Sequence, residues 1–166
     1  MYTAYPKDND KKREWKMPGL TINQDAWVMV GDGEKAMFLR NKGDSDYPNL
    51  EVIRLLEQEN PVTREQGTDK PGRLLDGTGP GRSSVEVTDW HTIEKHRFAK
   101  DIAEALYKAA HMNKFKELIV VAPPMTLGDL RKAFHKEVSS RVVGEVDKTL
   151  TGHDISKIEK ILTTKD

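Results

Sequence analysis

The sequence predicts an α/β domain of three layers, a mixed sheet of about five strands flanked by helices, in the order βββ-α-β-α-β-α. Three observations carry that expectation. Leu118 to Ala122 is continuously apolar and rich in β-branched residues, short enough for a strand, and stopped by Pro123 and Pro124, which extend neither a ladder nor a helix interior. It reads as a central strand. Directly after it, Leu127, Leu130 and Phe134 recur at helical spacing, and Thr126 stands three residues before Asp129 in a variant of the capping box. Upstream, three strand-like runs precede one long helical pattern, and strand, turn and helix then follow one another as in layered domains.

Taken in order, Met1 to Asp25 is polar and carries Lys11, Lys12, Arg13 and Lys16 beside Tyr2, Tyr5 and Trp15. Residues 1–25 read as a flexible tail, with a basic arm that touches RNA as the alternative. A single domain is expected over 26–166. Ala26 to Val30 is a strand, Gly31-Asp32-Gly33 a turn and Ala36 to Arg40 the returning strand of a hairpin. After the turn-rich Asn41 to Asn49, Leu50 to Leu56 opens with alternation, Leu50 and Val52 facing away from Glu51, which suggests an antiparallel meander. Residues 57–88 form a Gly-rich loop with Gly67, Gly72, Gly77, Gly79 and Gly81 and three prolines. A connection that long is functional or disordered.

Thr88 or Asp89 is placed to cap a helix running to Asn113, with Ile93, Phe98, Ile102, Leu106 and Ala109 as its apolar stripe. Glu94, Lys95, Lys100, Asp101, Glu104 and Lys108 fall on its other side. The helix after the central strand is expected from Thr126 to about Ser140, a further strand from Arg141 to Leu150, and a last helix capped by Asp154, with Ile155, Ile158, Ile161 and Leu162 as its stripe.

Bulk properties narrow the function. With 166 residues the chain can bury roughly two thirds of its unfolded surface and needs no covalent staple. It has no cysteine, which excludes disulfides and cysteine-based catalysis. Its 27 basic and 27 acidic residues cancel, so any nucleic-acid binding must come from a local patch. No apolar run approaches the roughly 20 residues of a membrane span, and the N-terminus lacks the apolar core of a signal peptide. A cytoplasmic protein without membrane contact is expected.

The candidate site residues cluster around the Gly-rich loop. Gly77, Gly79 and Gly81 can turn backbone N–H groups toward a phosphate or an RNA backbone, with Arg73 and Arg82 as cations; a plain flexible loop is the competing reading. His91 and His96, at the start of the long helix, are placed to shuttle a proton, and Arg97 interrupts the apolar stripe on a solvated face or points into the loop cleft. Asp32 is either a ligand-facing acid or part of a turn in which Asp and Gly supply positive φ. No two of the five histidines stand i, i+4 and the central strand carries no acid, so neither a metal site nor a cofactor is expected.

The order of elements is that of ribonuclease-H-like folds. Trp27 to Phe38 (WVMVGDGEKAMF), His96 to Leu106 (HRFAKDIAEAL), Glu117 to Leu130 (ELIVVAPPMTLGDL) and Arg141 to Ile158 together resemble the host attachment protein family. That family looks like a bacterial relative of the central domain of archaeo-eukaryotic peptide-chain release factors. The resemblance implies a ribonuclease-H-like layout and an RNA or ribosome partner, reached through the loop and the start of the long helix. It implies, as the alternative, a release-factor-like esterase acting on aminoacyl or peptidyl esters. In those release factors a Gly-Gly-Gln loop precedes the long helix; the corresponding stretch here is Asp76-Gly77-Thr78-Gly79-Pro80-Gly81-Arg82. A homo-oligomer joined by sheet edges or helix faces is a third reading.

Overall fold

The computed structural model describes residues 19–58 and 80–164, with the backbone alone over 80–89. The elements are β1 (Trp27–Gly31), β2 (Lys35–Asn41), β3 (Leu50–Glu57), α1 (Pro80–His111), β4 (Leu118–Ala122), α2 (Pro124–Ala133), α3 (Lys136–Ser139), β5 (Val142–Asp147) and α4 (Ile155–Thr163). Five strands form one sheet in the order β3-β2-β1-β4-β5. The first three make the expected antiparallel meander, whereas β4 and β5 run parallel to β1. The ribonuclease-H-like class expected from the order of elements is therefore the one observed.

Alternation along the strands builds the three layers. Trp27, Met29, Phe38, Leu118 and Val120 share a core with Phe98, Ile102 and Leu106 of α1 and Leu127 and Leu130 of α2. Val28, Val30, Leu39, Ile119 and Val121 face the opposite side, where Ile158 and Leu162 of α4 cover them. Successive side chains of a strand point to opposite faces, so a continuously apolar run such as Leu118 to Ala122 is what a strand covered on both faces requires. All five residues of β4 are buried.

Several boundaries move. Leu20 and Ile22 are buried in the α4-side core, and the Leu20 N–H donates to the Leu162 carbonyl at 2.9 Å. The domain thus begins ahead of Ala26, and at least residues 20–25 do not belong to a flexible tail. Helix α1 starts at Pro80, well before Thr88; a proline suits a first helical position because its missing N–H has no intrahelical partner there. Gly81 and Arg82, expected in the loop, stand in the first turn of this helix. With 32 residues it is about 48 Å long, far longer than the strands of the sheet. Ile93 is 50% exposed, not buried, while Glu94, expected on the polar side, is 5% exposed.

The helix expected over Thr126 to Ser140 is two helices. Its N-cap is Pro123, Thr126 is buried, and Asp129 is drawn to α1 in place of closing a capping box. Phe134 is extended (φ −64°, ψ 128°), its ring packed on the core. The Nδ1 of His135 then accepts the Glu137 N–H at 3.1 Å and caps α3. Asp154 caps α4 as expected, accepting the Lys157 N–H at 2.8 Å.

β3 is an edge strand. Val52, Ile53 and Leu55 are exposed on it, and a register shift beside Phe38 and Leu39 breaks the strict alternation expected for this run. Glu51, Arg54 and Glu57 are exposed along the same strand, the kind of charge that discourages edge-to-edge pairing.

Candidate functional site

β1, β4 and β5 are parallel, so their carboxyl ends meet at one end of the sheet, the position where α/β sheets present ligands. Asp32 lies just beyond β1. Its Oδ1 accepts the backbone N–H groups of Glu34 (2.7 Å) and Lys35 (2.9 Å), and its Oδ2 accepts the Thr151 hydroxyl at 2.6 Å. None of Gly31, Asp32 and Gly33 adopts positive φ, so the turn is closed by this carboxylate and not by left-handed backbone. The carboxylate also ties the β1–β2 turn to the segment after β5. Burial by itself raises the Asp32 pKa; the hydrogen bonds from Thr151, Glu34 and Lys35, with the Lys35 charge, outweigh it and hold the carboxyl below its ordinary value of 3.8.

A lowered pKa in the folded state means stability that is present above the ordinary value and is lost as pH falls through the folded one. Asp32→Ala is therefore expected to lose about 1–2 kcal/mol near neutral pH, the scale of one cap plus one side-chain hydrogen bond. The gap to the parent should narrow as pH falls below 3.8. Thermal melts of both chains across that range check it; an unchanged gap would mean that the charge of Asp32 is not what holds the turn.

The first described side chains of α1 lie beside this turn. The stem of Lys95 crosses Gly33 so closely that a Cβ there would sit 2.7 Å from Lys95 Cγ. His91, Lys95, His96, Arg97 and Lys100 are all exposed. His96 leans toward α2, where its Nδ1 lies 2.7 Å from Asp129 Oδ2; the Asp129 side chain is 13% exposed and that of His96 48%. Arg97 leans the other way, its Nη1 3.2 Å from Glu94 Oε1, while Glu94 Oε2 accepts the Gln58 amide at 3.1 Å. A largely buried carboxylate thus lies beneath each of the two exposed side chains, although the Arg97–Glu94 contact is an ion pair without hydrogen-bond geometry and Glu94 Oε1 has no hydrogen-bond partner.

Outside the ends of β4 and β5, Pro124, Leu127, Arg131, Glu145 and Asp147 line a shallow pocket. Arg131 grips Glu145 through Nε at 2.9 and 3.1 Å and Nη2 at 2.9 Å. The Glu145 carboxylate of this pocket is thus met in the bidentate geometry that arginine favours.

Of the residues selected from the sequence, the structure places Asp32, His91, His96 and Arg97 around one end of the sheet. Arg73, Gly77 and Gly79 lie outside the described residues, and for Gly81 and Arg82 only the backbone is described. Asp129, Glu94, Thr151 and the Arg131–Glu145 pair were not anticipated. Local spacing held no signal for them, since Asp32 and Thr151 are 119 residues apart. Among the described residues no group of three His, Asp or Glu side chains is arranged to hold a metal, and no helix is long and apolar enough to cross a membrane.

The chain is 30% identical over 83 residues to the uncharacterized protein RP470 of Rickettsia prowazekii (strain Madrid E), a stretch that covers 49% of this chain and 55% of that relative. Among solved structures it is similar to the archaeal translation termination factor aRF1, with a TM-score of 0.43 at 15% identity, covering 74% of this chain and 30% of that one. It is also similar to S. cerevisiae Dom34, described as a translation termination-like factor of RNA quality control that interacts with Hbs1, with a TM-score of 0.42 at 14% identity, covering 87% of this chain and 34% of that one. The chain thus spans about half the length of the curated relative and about a third of the two solved proteins. The model of the bacterial archaeo-eukaryotic release factor family 12 matches residues 25–162, from two residues ahead of β1 to the last turn of α4, and the chain belongs to that family.

Proposed function

We propose that the protein is a cytoplasmic interaction module directed at the ribosome, which contacts RNA through the exposed face of α1 from His91 to Lys100 and the Gly-rich segment that precedes the helix. The observation that supports this reading is the family match over residues 25–162, joined to the exposed row His91, Lys95, His96, Arg97 and Lys100 at the carboxyl end of the sheet. A local cationic row is what a neutral chain needs to meet a phosphate backbone. Glu94 and Asp129 lie in contact with Arg97 and His96 and offset part of this charge, and Lys95 and Lys100 supply the remainder.

The test is co-sedimentation with ribosomes at low and moderate salt. The parent chain should pellet at low salt and release as salt rises. Arg97→Ala/Lys100→Ala should pellet about tenfold less, since each phosphate contact contributes to a salt-dependent affinity. Absence of pelleting, or pelleting that ignores the substitutions, removes the proposal.

A second reading, the release-factor-like esterase, has one observation in its favour. Asp129 supplies His96 with the orienting acid that a general base needs. Background rates of peptidyl-tRNA hydrolysis at saturating protein would dismiss it.

A further inference from the structure

One side of α1 faces its neighbouring helices. His96, Lys100, Ala103, Tyr107 and His111 follow one another at intervals of three or four residues and so share that side. Across from them, His96 meets Asp129 of α2 at 2.7 Å, Tyr107 meets the ring of His135 at the start of α3, and His111 Nδ1 lies 3.4 Å from Glu137 Oε2. Along the helix between the first two contacts there is a groove of about 310 Å³, lined by Lys100, Ala103, Glu104, Tyr107, Ala133 and His135. Pockets for small ligands begin at roughly 300 Å³, so this one suits a single ring system and not an extended ligand.

The lining says which kind of ring. Tyr107 and His135 stand 4.3 Å apart between ring centroids, with 43° between their planes, and make an aromatic wall. His135 is held in direction because its Nδ1 accepts the Glu137 N–H. Flat π systems of any base stack on such side chains. Lys100 and Glu104, both exposed, add one charge of each sign a single turn apart. The Glu104 carboxylate lies 3.4 Å from Lys108 Nζ in an exposed pair, which constrains it little.

A ring joined to an anion and carrying an N–H donor matches all three features, and an unpaired nucleotide of an RNA strand is such a group; an aromatic side chain of a protein brings the ring without the anion. We infer that the groove between α1 and α2 holds one unpaired RNA base stacked against Tyr107, with Lys100 on its phosphate and the Glu104 carboxylate accepting its exocyclic amino group. A carboxylate only accepts, so it takes the N4 amino group of cytosine and rejects uracil, whose O4 is an acceptor in the same position. This inference rests on the reading of the protein as an RNA-contacting module. It carries the contact beyond Lys100, where the cationic row ends, and gives it base selectivity.

The experiment is fluorescence anisotropy of a labelled oligouridylate and of the same oligomer with one central cytidine, titrated with the full chain at low salt and neutral pH. The parent should bind the cytidine-bearing oligomer about tenfold more tightly, the worth of roughly one hydrogen bond to a charged acceptor. Glu104→Gln should level the two, because an amide both donates and accepts. Tyr107→Leu should weaken the cytidine-bearing oligomer about tenfold through lost stacking, while Tyr107→Phe, which keeps the ring, should bind as the parent does. Tyr107 also packs on the core, so Glu104→Gln decides the matter if Tyr107→Leu folds poorly. Lys100→Ala should weaken both oligomers by one factor and flatten the salt dependence.

Equal affinity of the parent for the two oligomers, binding of neither, or a cytidine preference that survives in Glu104→Gln overturns the inference. So does a folded Tyr107→Leu that binds as tightly as the parent, the result expected if the groove takes a protein side chain. If the parent pellets with ribosomes in any of those cases, the module reading stands without this groove. If it does not pellet while the cytidine preference follows Glu104, the ribosome is removed and the groove remains.

Discussion

Phe98→Ala is expected to cost about 3–5 kcal/mol of stability, the range for emptying an aromatic side chain from a packed core. Phe98 is 2% exposed and lies in the cluster that joins Trp27, Met29 and Phe38 of the sheet to α1. No neighbouring helix is free to collapse into the space. Leu127 and Leu130 of α2 are held by their own strand exit at Pro123, and Ile102 and Leu106 are fixed to the same helix as the cavity. A loss of that size is a large part of the stability of an ordinary domain, so the variant should unfold at markedly lower denaturant with an unchanged slope. A loss under about 1 kcal/mol would show that α1 is not clamped to the sheet at this point. The consequence reaches the surface, because His96 and Arg97 immediately precede Phe98 on the same helix.

Arg131→Ala should be the next most damaging change, with a loss of about 3 kcal/mol, while Glu145→Ala should cost clearly less. The asymmetry follows from burial. The Glu145 side chain is 9% exposed and that of Arg131 51%. Removing the arginine leaves a carboxylate next to the strand core with its main cation gone, whereas removing the glutamate leaves a guanidinium already half in water. The double variant Arg131→Ala/Glu145→Ala should therefore be more stable than Arg131→Ala alone. Chemical denaturation of the four chains as a double-mutant cycle measures this. Equal losses from the two single changes would mean that the pair behaves as a surface ion pair worth little.

The layers of this protein follow from patterns that repeat within a few residues. The run from Leu118 to Ala122, the alternation along β1 and β2 and the stripe of Ile155, Ile158, Ile161 and Leu162 each specify an element and its buried side. Asp154 identified its helix start because capping is a local hydrogen bond. Local rules also gave way in recognisable places. Thr126 and Asp129 have a cap-like spacing, but Pro123 and Pro124 start the helix earlier and Asp129 bonds across to His96. Pro80 carried a usable start signal for α1, masked by the glycines on either side of it. Glu94 looked like a surface residue by composition, yet the end of β3 brings Gln58 over it.

The site belongs to the other category. His96 and Asp129, Arg131 and Glu145, Asp32 and Thr151 are each joined across different elements, at distances of 2.6–3.1 Å. No periodicity along the chain encodes such pairs. They exist because parallel strands gather β1, β4 and β5 at one end and because two helices cross there at one particular offset. The sequence alone determined the class of fold, the faces of its strands and the family resemblance, since those depend on short-range spacing and on burial. Only the tertiary structure decided which charges meet, and with that, which of the exposed groups on α1 are held in place.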